Sequence, residues 1–156
     1  MHPLFAQVVE TLEPSFELLL GMDPVSGGRF PATVPKEGVY LFSERARNLY
    51  VGRTRNIRNR YGGHCRPGAT RHSATFAFRL AREATGYTES SYRQGPDSRE
   101  GLMENPEFVA AFDASKRRIR EMNFRFVAEE EPTRQALLEI YCSVALETPY
   151  NNFATH

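Results

Sequence analysis

Residues 38–64 read GVYLFSERARNLYVGRTRNIRNRYGGH, and the architecture follows from them. Val39-Tyr40-Leu41-Phe42 and Leu49-Tyr50-Val51 are rich in residues that fit a pleated, half-buried surface. The polar residues 43–48 between them supply a turn, so the pair reads as a β-hairpin. Thr54 then caps a helix that runs to about Tyr61 and ends at Gly62-Gly63. Adjacent strands put the phenols of Tyr40 and Tyr50 near one face, and Arg60 and His64 stand one helical turn apart. All four groups can then converge on a phosphodiester.

Outward from this block the chain is simpler. Residues 4–20 place Phe5, Val8, Val9, Leu12, Phe16, Leu19 and Leu20 at helical spacing, with Pro14 in the first turn of a second helix. Residues 21–37, with Gly21, Pro24, Gly27, Gly28, Pro31 and Pro35, read as a connector without regular structure. On the other side, helices are expected over 75–83 and from Asn105-Pro106 to about Glu121, separated by a polar, exposed loop at 86–105. Residues 123–127 alternate as a strand, and Pro132 opens a final helix whose buried stripe is predicted to be Leu137, Ile140, Tyr141, Val144 and Ala145. The fold class is α/β (α+β), a small three-stranded antiparallel sheet flanked by helices. Residues 1–156 form one domain: an N-terminal helical extension (1–35), a core (36–64 and 123–152) and a helical insertion (65–122).

Length and charge narrow the function. A chain of 156 residues buries roughly 70% of its unfolded surface, enough for a core without disulfide or metal staples. The net charge of +1 excludes a uniformly basic DNA-coating protein and an acidic disordered one. That average hides an asymmetry, because residues 45–82 hold ten arginines and no Asp or Glu, which leaves the remainder at −9. Arginine outnumbers lysine 18 to 2, and guanidinium forks suit phosphate in a way a lysine point charge does not. A run with no carboxylate inside it cannot be neutralised locally, which points to a polyanion partner. Cys65 and Cys142 fit neither a zinc spacing nor a secreted disulfide framework, and residues 1–22 read as neither signal peptide nor membrane span. The expectation is a reduced, cytoplasmic compartment with no membrane partner.

In order and at these spacings, Gly38-Val39-Tyr40, Tyr50-Val51-Gly52, Arg60 eight residues after Gly52 and His64 twelve after it resemble the GIY-YIG nuclease family. That family includes homing endonucleases, some restriction enzymes and the incision domain of bacterial nucleotide excision repair. Val replaces Ile in both tripeptides, which keeps a β-branched strand residue. Arg53 matches the basic residue that follows the second glycine in several members. Glu139 and Asn151, twelve residues apart, match the late-helix glutamate and the asparagine of the repair-type members. The competitor Glu147 has no asparagine at that distance.

The resemblance implies a GIY-YIG-like fold and an endonuclease that hydrolyses phosphodiesters, in DNA rather than RNA, with a single metal. One glutamate is a thin ligand set, and that suits Mg²⁺, which keeps several of its waters; Mn²⁺ is the substitute. The catalytic set is then Tyr40, Tyr50, Arg60, His64 and Glu139, with Glu139 also the metal ligand, and Arg53, Arg55, Arg58 and Asn151 on the nucleic acid. Tyr40 is expected to be the general base, its pKa lowered from about 10 by Arg53, Arg60 and His64. Tyr50 would orient the water or a phosphate oxygen, Arg60 would stabilise the transition state and His64 would relay the proton from Tyr40, with the choice of base between the two tyrosines left open by the sequence. Tyr87, Tyr92 and Arg93, in the polar loop, are candidates for stacking on bases. Specificity would come from that loop, the N-terminal helices, a homodimer or a protein partner, with DNA repair, restriction and mobile-element roles all open. The alternative is a nucleic-acid-binding module of the same fold that has lost turnover.

Overall fold

The computed structural model describes residues 1–88 and 95–154. Along the chain run α1 (Pro3–Glu10), α2 (Glu13–Gly21), β1 (Gly38–Glu44), β2 (Arg47–Thr54), α3 (Ile57–Cys65), α4 (Thr75–Thr85), α5 (Arg99–Leu102), α6 (Pro106–Glu121), β3 (Asn123–Ala128) and α7 (Pro132–Ala145). The architecture is α+β, as the sequence predicts, with one antiparallel sheet in the order β2-β1-β3. The residues fall into two compact units, Met1–Arg60 with Met122–His156, and Tyr61–Glu121.

In the first unit β1 is the central strand and β2 an edge. Their turn is tighter than the polar run 43–48 predicts, because pairing continues to Glu44 opposite Arg47. Only Arg45 and Ala46 are left to turn the chain, at φ of 51° and 62°. A left-handed backbone costs a non-glycine residue about 1 kcal/mol or more, but two such residues give the turn a twist that matches the strands.

Strand alternation splits the sheet into two unlike faces. Val39, Leu41, Val51 and Val127 join Leu12, Leu19, Leu138 and Cys142 in an aliphatic cluster, covered by α2 and α7. The opposite face is aromatic: Phe42 and Phe124 have ring centroids 4.8 Å apart, and Tyr40 lies 5.5 Å from Phe124. Residues 21–37, expected to be irregular, contribute to this layer. Val25 pairs with Phe124 in an isolated antiparallel bridge, and Phe30 packs 6.0 Å from Phe124 and 6.2 Å from Phe126.

Two helix expectations are corrected. The face that α7 buries is Gln135, Leu138, Cys142 and Ser143, with Leu137 and Tyr141 partly buried. Ile140 and Val144, predicted to be inside, are 45% and 70% exposed. The predicted stripe was centred on Leu137, and the helix is turned by about one residue's 100° relative to it. Likewise α3 does not stop at Gly62-Gly63. Glycine in a helix costs about 1 kcal/mol, and burial of Tyr61, His64 and Cys65 around the two glycines outweighs that. Its cap is Asn56, whose Oδ1 accepts from the Asn59 N–H at 3.1 Å, while Thr54 Oγ1 accepts from the Asn56 N–H at 3.0 Å.

The second unit is built on α4 and α6, joined through Phe78, Phe108 and Phe112. As the Asn105-Pro106 pair predicts, Asn105 caps α6 by accepting from the Glu107 N–H at 3.0 Å. The buried Lys116 is fully occupied: its ammonium donates to the Pro67 and Ala69 carbonyls at 2.7 and 3.0 Å and pairs with Asp113 at 3.1 Å. The expected exposed loop at 86–105 contains α5, and Leu102 at its end is wholly buried. Tyr92 and Arg93 lie outside the described residues.

Candidate active site

The register of the hairpin explains the second motif glycine. Tyr40 on β1 stands directly opposite Gly52 on β2, and the Tyr40 ring lies across that position. A Cβ on residue 52 would sit 2.2 Å from the Tyr40 hydroxyl oxygen, a separation that no side chain tolerates. Tyr50, two residues earlier on the same face, brings its ring centroid to 6.4 Å from that of Tyr40. The first motif glycine answers to backbone instead: a Cβ on Gly38 would sit 2.0 Å from the Val127 carbonyl oxygen.

Arg60 comes off the first turn of α3 and meets both phenols. Its Nε donates to the Tyr40 hydroxyl at 3.3 Å, and it is also hydrogen-bonded to Tyr50. Burial favours a neutral Arg60, but the two phenols more than offset it and raise its pKa, so the guanidinium is held charged. Tyr40 does not behave as the sequence led one to expect. It is 1% exposed, and burial, reinforced by Tyr50, pushes its pKa up against the opposing pull of Arg60. The cations do not win, because removing a phenolate from water costs more than one neighbouring guanidinium returns. Tyr50 is only half-buried, and it presents the accessible phenol of the pair.

The carboxylate arrives from the other side of the sheet. Arg53 pairs in register with Val39, which places it on the α7 side of β2. There its Nε donates to Glu139 Oε2 at 3.0 Å. The Glu139 side chain is 19% exposed. Burial raises its pKa and Arg53 partly reverses that rise. From that opposite face the Glu139 charge adds, as the smallest of the causes, to the rise in the Tyr40 pKa. Among the described residues no group of three or more His, Cys, Asp and Glu gathers anywhere. A lone, partly exposed carboxylate with one oxygen engaged by Arg53 fits a hard divalent cation that keeps most of its waters, and does not fit a closed zinc site.

The remaining predicted residues divide. Asn151 grips the edge strand: its Nδ2 donates to the Val51 carbonyl at 2.7 Å, and its Oδ1 accepts the Val51 N–H at 2.9 Å. It thereby copies the pairing of a neighbouring strand. Thr148 holds that amide, donating to Oδ1 at 2.8 Å, and the Tyr150 N–H reaches the Leu49 carbonyl at 3.2 Å. Sequence reading missed Thr148, whose only signal is its place in the turn before Asn151. Arg58 is tied to the connector, donating to the Pro31 carbonyl at 2.9 Å with its guanidinium 5.1 Å from the Phe30 ring centroid. Arg55 is exposed beside a shallow cavity that Arg53 also lines. His64 is wholly buried in α3, one turn beyond Arg60.

Among the described residues no helix is long and apolar enough to cross a membrane. Compared with known proteins, the chain matches none of the curated proteins and none of the solved structures. Residues 36–102 match the family model of the GIY-YIG catalytic domain. That span holds Tyr40, Tyr50, Gly52, Arg53 and Arg60, while Glu139 and Asn151 lie beyond it. A domain of this family indicates a nuclease-type function, with divalent metals generally in use and nucleic acid as the substrate. Residues 36–102 of this chain are thus similar to the GIY-YIG catalytic domain.

Proposed function

We propose that this chain is a divalent-metal-dependent endonuclease that hydrolyses phosphodiester bonds in DNA, with Mg²⁺ as the metal. The observation that carries this reading is the convergence of Tyr40, Tyr50 and Arg60 on one point. Phosphodiester hydrolysis needs an activated water, charge stabilisation on the phosphoryl oxygens and help for the leaving oxygen. Arg60 stays charged and sits beside both phenols, so it is the group that stabilises negative charge on the phosphoryl oxygens. Tyr50, the accessible phenol, orients the water and takes its proton, with the Arg60 guanidinium beside it to offset the charge a phenolate carries. Tyr40, buried and protonated, holds the Nε side of Arg60 and so positions it. His64 is wholly buried and stands outside the substrate-contacting set.

Glu139 is the residue that would hold the metal, whose chemistry is to polarise the phosphoryl oxygen and steady the leaving group. Arg53 is its counter-charge on the protein side, and Arg55 extends the positive rim toward the backbone.

The test is cleavage of plasmid, nicked, flap, branched and single-stranded DNA, and of RNA, with Mg²⁺, with Mn²⁺ and with EDTA. Cleavage in Mg²⁺ that EDTA abolishes, and that Glu139→Gln lowers by about 100-fold or more, is the expected result. Binding without cleavage in every metal, or activity in Glu139→Gln within a few-fold of the unmutated chain, would sink the assignment.

A further inference from the structure

The second unit carries a cationic cluster that the motif chemistry leaves unused. The Arg82 guanidinium lies over the Phe78 ring, 5.0 Å from its centroid, and Arg99 lies over the same ring at 4.9 Å. Sharing one ring puts the two cations within about one Debye length, ~10 Å, of each other. Arg82 is only 8% exposed, and among the described residues its guanidinium meets no carboxylate. Arg99 is held in place by donating from Nη2 to the Arg71 carbonyl at 3.2 Å. Burial lowers the pKa of Arg82, and Arg99 lowers it further; burial likewise lowers that of Arg99, with Arg71 and Arg79 adding to it.

Two like charges on one aromatic ring, the buried Arg82 and the exposed Arg99, are an unfavourable arrangement, and the ring face repays only part of the hydration that Arg82 loses. An anion shared by the two guanidiniums would remove the repulsion. Their planar forks match the oxygens of a phosphate group. We propose that Arg82 and Arg99, on Phe78 as their common platform, form a phosphate-binding site in the second unit that takes backbone phosphates of a nucleic acid. The phosphate chemistry rests on the cluster itself; nucleic acid as its source rests on the function proposed above.

The experiment is anisotropy of a labelled short duplex with the full chain in EDTA, titrated with KCl. In the expected result Arg99→Gln weakens binding several-fold at low salt and makes the plot of log K against log salt shallower by about 0.9, the loss of one phosphate contact. Arg117→Gln, an exposed change on α6 outside the cluster, moves that slope much less. Arg99→Gln carries the test because Arg82→Gln removes a buried group and can unsettle α4. If the unmutated chain binds duplex and Arg99→Gln leaves affinity and slope unchanged, the cluster has no such role, whatever the nuclease test shows. Equal losses in Arg99→Gln and Arg117→Gln mean diffuse surface charge and also overturn it. Inorganic phosphate is the second arm, read as a rise in melting temperature against chloride at matched ionic strength. A rise that disappears in Arg99→Gln, with duplex binding untouched, assigns the site to free phosphate and overturns the nucleic-acid source. Failure of the nuclease reading shows itself separately, through Glu139→Gln, which leaves this cluster intact.

Discussion

β1 and β2 carry near-mirror motifs, and the sheet treats them differently. β1 is flanked on both sides, and residues 38–43 are all buried. β2 is paired on one side only and alternates between buried and open positions. The tyrosine of the central strand is therefore sealed against water, while that of the edge strand is accessible. Two residues that look interchangeable in sequence become a buried anchor for Arg60 and a group able to meet a substrate. Position in the sheet, more than residue type, separates positioning from chemistry.

The largest effect expected from this contrast is kinetic. Tyr50→Phe should lower kcat by about 100-fold or more, the contribution of a general base, while Tyr40→Phe, which removes the hydroxyl that accepts from Arg60, should cost about 10-fold. Single-turnover cleavage by the two variants decides it, and the reverse order would return the base to Tyr40.

The two motif glycines sharpen the same contrast through stability. In Gly38→Ala the new methyl meets the Val127 carbonyl, part of the β3 backbone, and cannot be accommodated without prising the central pair apart. A loss of about 3 kcal/mol is expected from overpacking there. Gly52→Ala meets the Tyr40 hydroxyl and ring, side-chain atoms that are displaced without parting two strands. It should cost about 1 kcal/mol yet lower cleavage at least as much as Tyr40→Phe, because the displaced phenol releases Arg60. Urea melts and cleavage rates measured together test the pair; equal stability losses would undo the distinction.

Smaller again is the clamp on the edge. Asn151→Ala strands the N–H and C=O of Val51 and should cost about 1–3 kcal/mol. Asn151→Asp keeps an acceptor for the Val51 N–H but sets a carboxylate oxygen against the Val51 carbonyl, and should be no better than alanine. Hydrogen exchange at the Val51 amide reads the effect directly, and unchanged protection in Asn151→Ala would show that the amide does not hold the strand.

The smallest signal is optical. Burial holds the Tyr40 proton beyond the ordinary phenol range, so Tyr40→Phe should leave unchanged the reversible phenolate absorbance that develops around pH 10. Loss of roughly one tyrosine's share of that absorbance would place Tyr40 in water. The linkage has a definite sign: above about pH 10 the unfolded chain releases this proton and the folded chain keeps it, so stability falls as pH rises.

Much of this was legible in the sequence, for local reasons. The hairpin, the Asn105 cap, the N-terminal helices and the strand at 123–127 declare themselves by composition and period, and the motif spacing singles out Tyr40, Tyr50, Arg60 and Glu139 as candidates. What escaped depends on tertiary context. The phase of α7 was misread because Leu137, Ile140 and Val144 are as apolar as the residues that are buried, and only packing against the sheet selects Leu138 and Cys142. The run of Gly62-Gly63 was taken as a stop because propensity is local and the burial around it is not. The Tyr40 pKa was misjudged because charge can be counted along a chain, whereas desolvation depends on what closes over the ring. The ten arginines form one run in the sequence, whereas six belong to the first unit and four to the second.

The amide that grips Val51 does so from 100 residues further along the chain, and the carboxylate partner of Arg53 comes from 86 residues further. A nascent chain grown through residue 102 already holds both tyrosines and Arg60, yet it lacks the glutamate, the clamp and β3, so both outer edges of its hairpin are bare. Contacts of such long range are late to form during folding. The proposed catalytic set is thus incomplete in the growing chain until its distant segment returns to the hairpin, and until then the bare strand edges are the place where two incomplete copies would stick together.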